Sequence, residues 1–215
     1  MTTVTSQGSQ ATPYSAPQYR RCLETIGLDQ DEARALMDDV RKQLTAKNIT
    51  EITSPHLAHL AYRYLRKSPE LGPAVAHRWL VWIDFVRSGR PLIFLIGGTA
   101  GSGKSTIATA LANRLQIVRM QSTDMLREVM RTIIPRRLLP VLHTSSFTAW
   151  TALPYQQDGS RKGTSEALLL HGFRTQADLL SVAIEATYER AVRERVSLII
   201  EGVHIHPALV ENLPR

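Results

Sequence analysis

A glycine-rich stretch near the middle of the chain constrains its fold more than any other feature. Residues Gly98-Thr99-Ala100-Gly101-Ser102-Gly103-Lys104-Ser105 follow the spacing G-x-x-x-x-G-K-[ST]. The apolar run Leu92–Ile96 precedes this motif, and a helix pattern with Ile107, Leu111 and Leu115 four residues apart follows it. A strand, a glycine-rich turn and a helix in this order form the context of a phosphate-binding loop. The sequence therefore predicts an α/β fold with a phosphate site.

The residues of the motif predict how a nucleotide and its metal would be held. Glycines let backbone N–H groups point at phosphate oxygens, and the following helix N-terminus favours negative charge. We expect Lys104 to reach the β- and γ-phosphates and the Ser105 hydroxyl to bind Mg²⁺. The alternative is a chance glycine-rich turn, which both flanking patterns disfavour. The predicted nucleotide-binding residues are Gly98, Thr99, Ala100, Gly101, Ser102, Gly103, Lys104, Ser105 and Thr106.

Composition places the chain among globular proteins. Of its 215 residues, 43% are hydrophobic and 21% are charged. No apolar run approaches the ~20 residues of a membrane span, so we expect no membrane partner. The single cysteine, Cys22, cannot form an internal disulfide, which favours a reducing, cytoplasmic location. Residues 1–17 are rich in Thr, Ser and Gln and are predicted to be a disordered tail.

The net charge of +7 has two explanations, nucleic-acid binding or an acidic small substrate. No dense basic stripe with interleaved aromatic residues occurs in the sequence. The arginines instead cluster in the region that follows the phosphate motif. We therefore expect a small anionic substrate and no nucleic acid as partner.

The hydrophobic pattern divides the chain into two parts. Residues 18–89 show helical periodicity and predict a small all-α domain, with Ser54 as the N-cap of a helix that begins with Pro55. From residue 90 to 215 the pattern alternates between strands and helices, which predicts a parallel sheet covered by helices. The strands are expected at 92–96, 116–121 and 196–200.

Two carboxylates stand at the predicted ends of two of these strands. Glu201 follows an apolar strand and is placed to hold Mg²⁺ with Ser105. Asp124 is expected to end the second strand, where it could orient an acceptor hydroxyl. Asp124 could instead cap the helix that starts there, and Glu201 could be a solvated strand end. The predicted catalytic residues are Lys104, Asp124 and Glu201, and the predicted magnesium ligands are Ser105 and Glu201.

Four strings of sequence resemble the 2-phosphoglycerate kinase family of P-loop kinases. They are 98–105, Ser122–Arg131, Leu142–Trp150 and Ile200–Pro207. The resemblance implies transfer of the γ-phosphate of ATP to the hydroxyl of 2-phosphoglycerate, giving 2,3-bisphosphoglycerate, with ATP and Mg²⁺ as cofactors. Two alternatives stay open: a nucleotide-binding regulatory module without turnover, and a kinase for another small anionic metabolite.

A phosphorylated acid as substrate requires cationic donors. Arg127 and Arg131 lie one helical turn apart, and Arg174 could be a third donor. Ser145 could donate to substrate oxygens, or it could be an ordinary turn residue. The histidines of these strings could contact phosphate, bind a metal, or be hydrogen-bonded polar residues. They are His143, His204 and His206.

Residues 18–89 resemble the helical part of an ATP-cone, a nucleotide-sensing module. The strings Leu23–Leu28 and Ile52–Leu57 carry this likeness, and a packing or interaction domain is the alternative.

Only three strands are readable in residues 90–215, whereas kinases of this resemblance use five parallel strands in the order 2-3-1-4-5 and an arginine-bearing lid. The expectation is a P-loop domain incomplete at the C-terminus, in which Leu92–Ile96 forms an open sheet edge. A fragment, a missing half supplied from elsewhere, and a reduced family member are all open. An exposed edge promotes association, so a homo-oligomer is a further alternative.

Overall fold

The computed structural model describes residues 3–5, 12–13, 16–68, 72–154 and 166–213. Two compact units make up the chain, residues Met1–Arg90 and Pro91–Arg215. Among the described residues, no helix has the length and apolar character needed to cross a membrane.

Four helices form most of the first unit. They are α1 (Ala16–Thr25), α2 (Gln30–Ala46), α3 (Ser54–Lys67) and α4 (Gly72–Ser88). Their apolar faces meet in one core that contains Leu23, Leu36, Leu65 and Trp79, each no more than 1% exposed. The N-cap of α3 is Thr53 rather than the predicted Ser54, because the Thr53 side chain accepts the His56 N–H.

Three short strands correct the prediction of an all-α first domain with a disordered tail. They are β1 (Thr3–Thr5), β2 (Thr12–Pro13) and β3 (Glu51–Thr53). In this sheet β1 pairs parallel with β3 and antiparallel with β2. Val4 lies opposite Ile52, and both are buried. Because β1 and β3 each carry a single apolar residue between polar ones, hydrophobic periodicity gives no signal for them, although Thr, Val and Ile favour strands.

The second unit is an α/β fold with parallel strands, as the sequence predicts. Its strands are β4 (Ile93–Gly97), β5 (Arg119–Ser122) and β6 (Leu198–Gly202). The helices are α5 (Lys104–Leu115), α6 (Thr123–Ile133), α7 (Glu166–Glu194) and α8 (Pro207–Asn212). Among the described residues between α6 and α7 are two 3₁₀ turns, Pro140–His143 and Ala149–Ala152. The order of the strands is β4-β6-β5, all parallel.

The central strand β6 organises the core of this unit. Ile199 packs with Ala108 and Ala112 of α5, whereas Ile200 packs with Leu180 and others from α7. The buried face of α5 differs from the predicted one. Ile107 is 57% exposed, and Ala108 and Ala112 pack against the sheet instead. In the part of the chain that the structure describes, β4 pairs only with β6, so its other edge is open there.

Candidate active site

The phosphate motif forms the connection between β4 and α5. The strand ends at Gly97 and the helix begins at Lys104. Gly103 is the N-cap of α5 and has a φ of 82°, a left-handed conformation that glycine adopts without steric cost. The loop therefore brings the chain from the carboxyl end of the strand directly to the positive end of a helix.

Lys104 curls back over this loop. Its Nζ donates a hydrogen bond to the Thr99 carbonyl at 2.6 Å, and the Ser102 hydroxyl donates to the same carbonyl at 2.8 Å. Within the described residues, Lys104 forms no ion pair with an acidic side chain. The ammonium thus stays inside the loop, without a carboxylate to neutralise it.

Glu201 lies in β6 at the same edge of the sheet. It pairs in register with Ile96 on one side and Ser122 on the other. Its side chain is half-buried, and its carboxylate has no hydrogen-bond or ion-pair partner among the described residues. Ser105, in the first turn of α5, is exposed. A carboxylate and a hydroxyl are hard oxygen donors of the kind that Mg²⁺ prefers, and Mg²⁺ needs few protein ligands besides phosphate oxygens.

Asp124 lies in a helix rather than at a strand end. The strand β5 ends at Ser122, whose side chain caps α6 by accepting the Asp124 N–H at 3.2 Å. Because Ser122 is the cap, the Asp124 carboxylate is left at the surface of the first turn, where it is 59% exposed. Its Oδ1 lies 3.7 Å from Nε of Arg127.

The two arginines of α6 have different surroundings. Arg127 is only 14% exposed, and its guanidinium donates to the carbonyls of Leu142 and Thr144, each at 3.3 Å. Arg131 is 42% exposed and pairs with Glu128 at 2.6 Å. The third predicted donor, Arg174, is exposed on α7. Arg127 therefore joins α6 to the following 3₁₀ turn, whereas the other two face solvent.

Ser145 takes part in a local turn. Its hydroxyl and that of Thr148 share a hydrogen bond at 2.9 Å, and the Thr148 N–H donates to Ser145 Oγ at 3.3 Å. The geometry matches the turn interpretation of this serine.

Three buried polar residues, Thr123, His204 and Gln176, form a hydrogen-bonded series that we call the buried polar chain. All three are fully buried. The Gln176 amide Nε2 donates to the carbonyls of Val141 at 2.6 Å and Thr144 at 3.0 Å. Its Oε1 must then accept from His204 Nε2 at 3.0 Å, which leaves Nδ1 to accept the Thr123 hydroxyl at 2.9 Å.

This arrangement keeps His204 neutral. Burial lowers its pKa to about 4, Asp124 opposes that shift and Arg127 adds to it. Phe173 stacks on the ring at 6.4 Å between centroids. Both ring nitrogens are hydrogen-bonded, so neither is available to a metal. His143 is similarly engaged, because its Nε2 lies 2.9 Å from the Ile134 carbonyl.

Gly202 fits closely against the buried polar chain. A Cβ at this position would lie 1.8 Å from Thr123 Oγ1, and the residue has a φ of 154°. Sequence reasoning missed Thr123, Gln176 and this contact. A signal for Gln176 exists, since it lies four residues before Leu180 on the buried face of α7, where a polar residue requires a partner.

Several proteins are similar to the chain over most of its length, although no protein-family profile matches it. The 2-phosphoglycerate kinase of Pyrococcus horikoshii is 40% identical over 201 residues, covering 93% of this chain and 63% of that protein. The protein of the same name from Pyrococcus furiosus is 37% identical, covering 95% and 65%. That of Methanothermobacter thermautotrophicus is 38% identical, covering 93% and 63%.

These matches extend well beyond the phosphate motif, since they cover both units of the chain. The resemblance indicated by the four sequence strings is thereby confirmed. The chain is a homologue of the 2-phosphoglycerate kinases that spans just under two thirds of the length of these relatives.

Proposed function

We propose that the chain carries the nucleotide site of a small-molecule kinase and uses ATP with Mg²⁺. The observation that carries this proposal is the loop itself, a glycine turn from β4 into α5 with Lys104 curled across it. Ser105 and the unpartnered Glu201 are the proposed metal ligands. Bound Mg²⁺ would neutralise charge on the phosphate oxygens during transfer. Lys104 would exchange its bond to the Thr99 carbonyl for phosphate oxygens.

The proposed acceptor is 2-phosphoglycerate, and the proposed product is 2,3-bisphosphoglycerate. The names of the relatives support this substrate. Asp124 is the proposed group that orients or deprotonates the acceptor hydroxyl. Its exposed carboxylate comes two residues after Ser122, the last residue of β5, which pairs with Glu201 of β6.

The acceptor is a phosphorylated acid, so its site needs cations. Arg131 and Arg174 are the proposed donors that face solvent. Arg127 contributes from a more buried position, where its Nε is without a hydrogen-bond partner among the described residues. Ser145 is the weaker candidate, since its hydroxyl already bonds to Thr148.

The proposal is tested by phosphorus NMR of the chain with ATP, Mg²⁺ and 2-phosphoglycerate. We expect the resonances of 2,3-bisphosphoglycerate to grow with time, and Lys104→Ala to abolish that growth. Equal product from both proteins would contradict the site assignment. A panel of other phosphorylated acids, run in parallel, tests the choice of acceptor.

Calorimetry separates this proposal from its main alternative, a nucleotide-binding module without turnover. Binding of ATP with no product from any acceptor would favour the alternative. No binding of ATP would overturn both.

A further inference from the structure

The buried polar chain connects every segment that bears a proposed acceptor-side residue. At one end of the buried polar chain, Thr123 immediately precedes Asp124, and Gly202 packs against Thr123. At the other end, Gln176 holds the turn that Arg127 also contacts. The Thr144 carbonyl is the shared point, because it accepts from Gln176 Nε2 at 3.0 Å and from Arg127 Nη1 at 3.3 Å.

The hydrogen-bond partners of Gln176 determine the orientation of its amide group. The carbonyls of Val141 and Thr144 can only accept, so the amide nitrogen must face them and Oε1 faces Nε2 of His204. An amide reversed in place would put Oε1 against two carbonyl oxygens. Since the side chain is fully buried, water cannot replace it without rearrangement.

We propose that Gln176 is a positioning residue that sets the affinity of the site for its phosphorylated acceptor, by holding the 141–148 segment where Arg127 meets it. This inference rests on the proposed function. It does not extend to the nucleotide, because the loop bonds of Lys104 and Ser102 are made within the phosphate loop and involve no member of the buried polar chain.

The test compares Gln176→Met with Leu180→Met. Both positions are fully buried and lie four residues apart on α7, so the second variant controls for a disturbed core. Gln176→Met removes the bonds to the Val141 and Thr144 carbonyls and the acceptor for His204. We expect the loosened 141–148 segment to raise the KM for 2-phosphoglycerate about tenfold. The KM for ATP should stay within about twofold. Leu180→Met should change neither constant by more than about twofold.

A second measurement does not depend on turnover. Amide hydrogen exchange should quicken in Gln176→Met at Thr144 and Thr148, whose N–H groups bond within the held segment. Equal exchange in the two variants, or equal rises in both KM values, would overturn the inference. If the unsubstituted chain makes no product, the proposed function fails alone, and exchange still decides the role of Gln176.

Thr123→Val supplies a second variant, for the case in which Gln176→Met does not fold. It removes the hydroxyl that bonds to His204 and keeps the shape of the side chain. We expect a smaller rise in the KM for 2-phosphoglycerate, about threefold, with the KM for ATP unchanged. A rise in the KM for ATP alone would contradict the inference.

Discussion

The two sides of the candidate site are bonded in different ways. On the phosphate-loop side, the Glu201 carboxylate has no partner among the described residues, and Ser105 is exposed. The other side is formed by α6, α7 and the 141–148 segment, and we call it the held side. There Gln176 is fully buried, Arg127 is only 14% exposed, and each donates to two carbonyls. Groups that receive a ligand must be free to exchange partners, whereas groups that orient others must be held. The difference predicts that substitutions on the first side cost activity with little loss of stability, whereas those on the second cost stability as well as affinity for the acceptor.

The largest effect is expected at Gly202, which packs against Thr123 on the held side. Gly202→Ala would place a Cβ 1.8 Å from Thr123 Oγ1, so the backbone or the helix must shift. Overpacking and backbone strain together should lower the free energy of unfolding by about 3–5 kcal/mol. Chemical denaturation measures the loss.

Gly72→Ala is the matched control for Gly202→Ala. Gly72 also has a positive φ, of 68°, but an added Cβ would meet nothing within 4 Å. We expect a loss of about 1 kcal/mol from the backbone conformation alone. Equal losses at the two glycines would show that close packing against Thr123 is unimportant.

A substitution of Lys104 tests the phosphate-loop side. Lys104→Ala removes a cation whose one hydrogen bond within the described part of the chain goes to the Thr99 carbonyl. We expect kcat for phosphoryl transfer to fall by about 10²–10³ or more, as when one preorganised donor to the transition state is lost. The free energy of unfolding should change by less than about 1 kcal/mol. A large loss of stability with retained turnover would contradict the assignment of Lys104 to ligand binding.

His204 predicts an acid-sensitive step in stability. Its pKa is lowered to about 4 by burial, from an ordinary value of 6.5. Between these values the unfolded chain binds a proton that the folded one does not, so stability falls as pH drops from 6.5 to 4. The full loss is about 3 kcal/mol.

Denaturation curves from pH 7 to 4 measure this step, with His204→Gln as the comparison. The variant should lack the fall between pH 6.5 and 4, whatever its stability at pH 7. Glu194 contributes little to the fall in stability between pH 6.5 and 4. Hydrogen bonds from Arg190 and Arg119 lower its pKa to about 2, so its stabilising effect is lost mainly below pH 4.5. A parallel fall in both proteins would contradict the assigned neutral histidine.

The smallest effect is expected at Ser145. Ser145→Ala removes the hydroxyl that bonds to Thr148. We expect a loss of about 1 kcal/mol in the free energy of unfolding and less than a twofold change in the KM for 2-phosphoglycerate. An unchanged stability with a large rise in KM would instead assign Ser145 to the substrate.

The residues proposed for the phosphate-loop side were selected from local sequence patterns, and their roles stay predictions. The phosphate loop and Glu201 are local patterns, because a glycine spacing and an acid after an apolar strand can be read without knowing what lies nearby. The alternation of strands and helices likewise predicted the parallel α/β fold, whereas the open edge of β4 within the described residues was expected from the strand order of the resembled family.

The hydrogen bonds of the held side could not be predicted from local sequence patterns. These bonds join residues far apart in the chain, such as Gln176 to Val141 and His204 to Thr123. Asp124 was misplaced at a strand end because strand and helix meet at Ser122 without a loop between them. In the first unit, β1 and β3 were missed because pairing across 47 residues, not periodicity, makes them strands. Whether residues 18–89 bind nucleotide stays a prediction.

The central claim is that the phosphate-loop side binds the nucleotide and the held side determines the affinity for 2-phosphoglycerate. Calorimetry of both ligands on three proteins tests it most directly. ADP and 2-phosphoglycerate would each be titrated into the unsubstituted chain, Lys104→Ala and Gln176→Met. The account predicts that Lys104→Ala weakens ADP at least about tenfold and leaves 2-phosphoglycerate within about twofold, and that Gln176→Met does the reverse. Loss of the same ligand in both variants would contradict it.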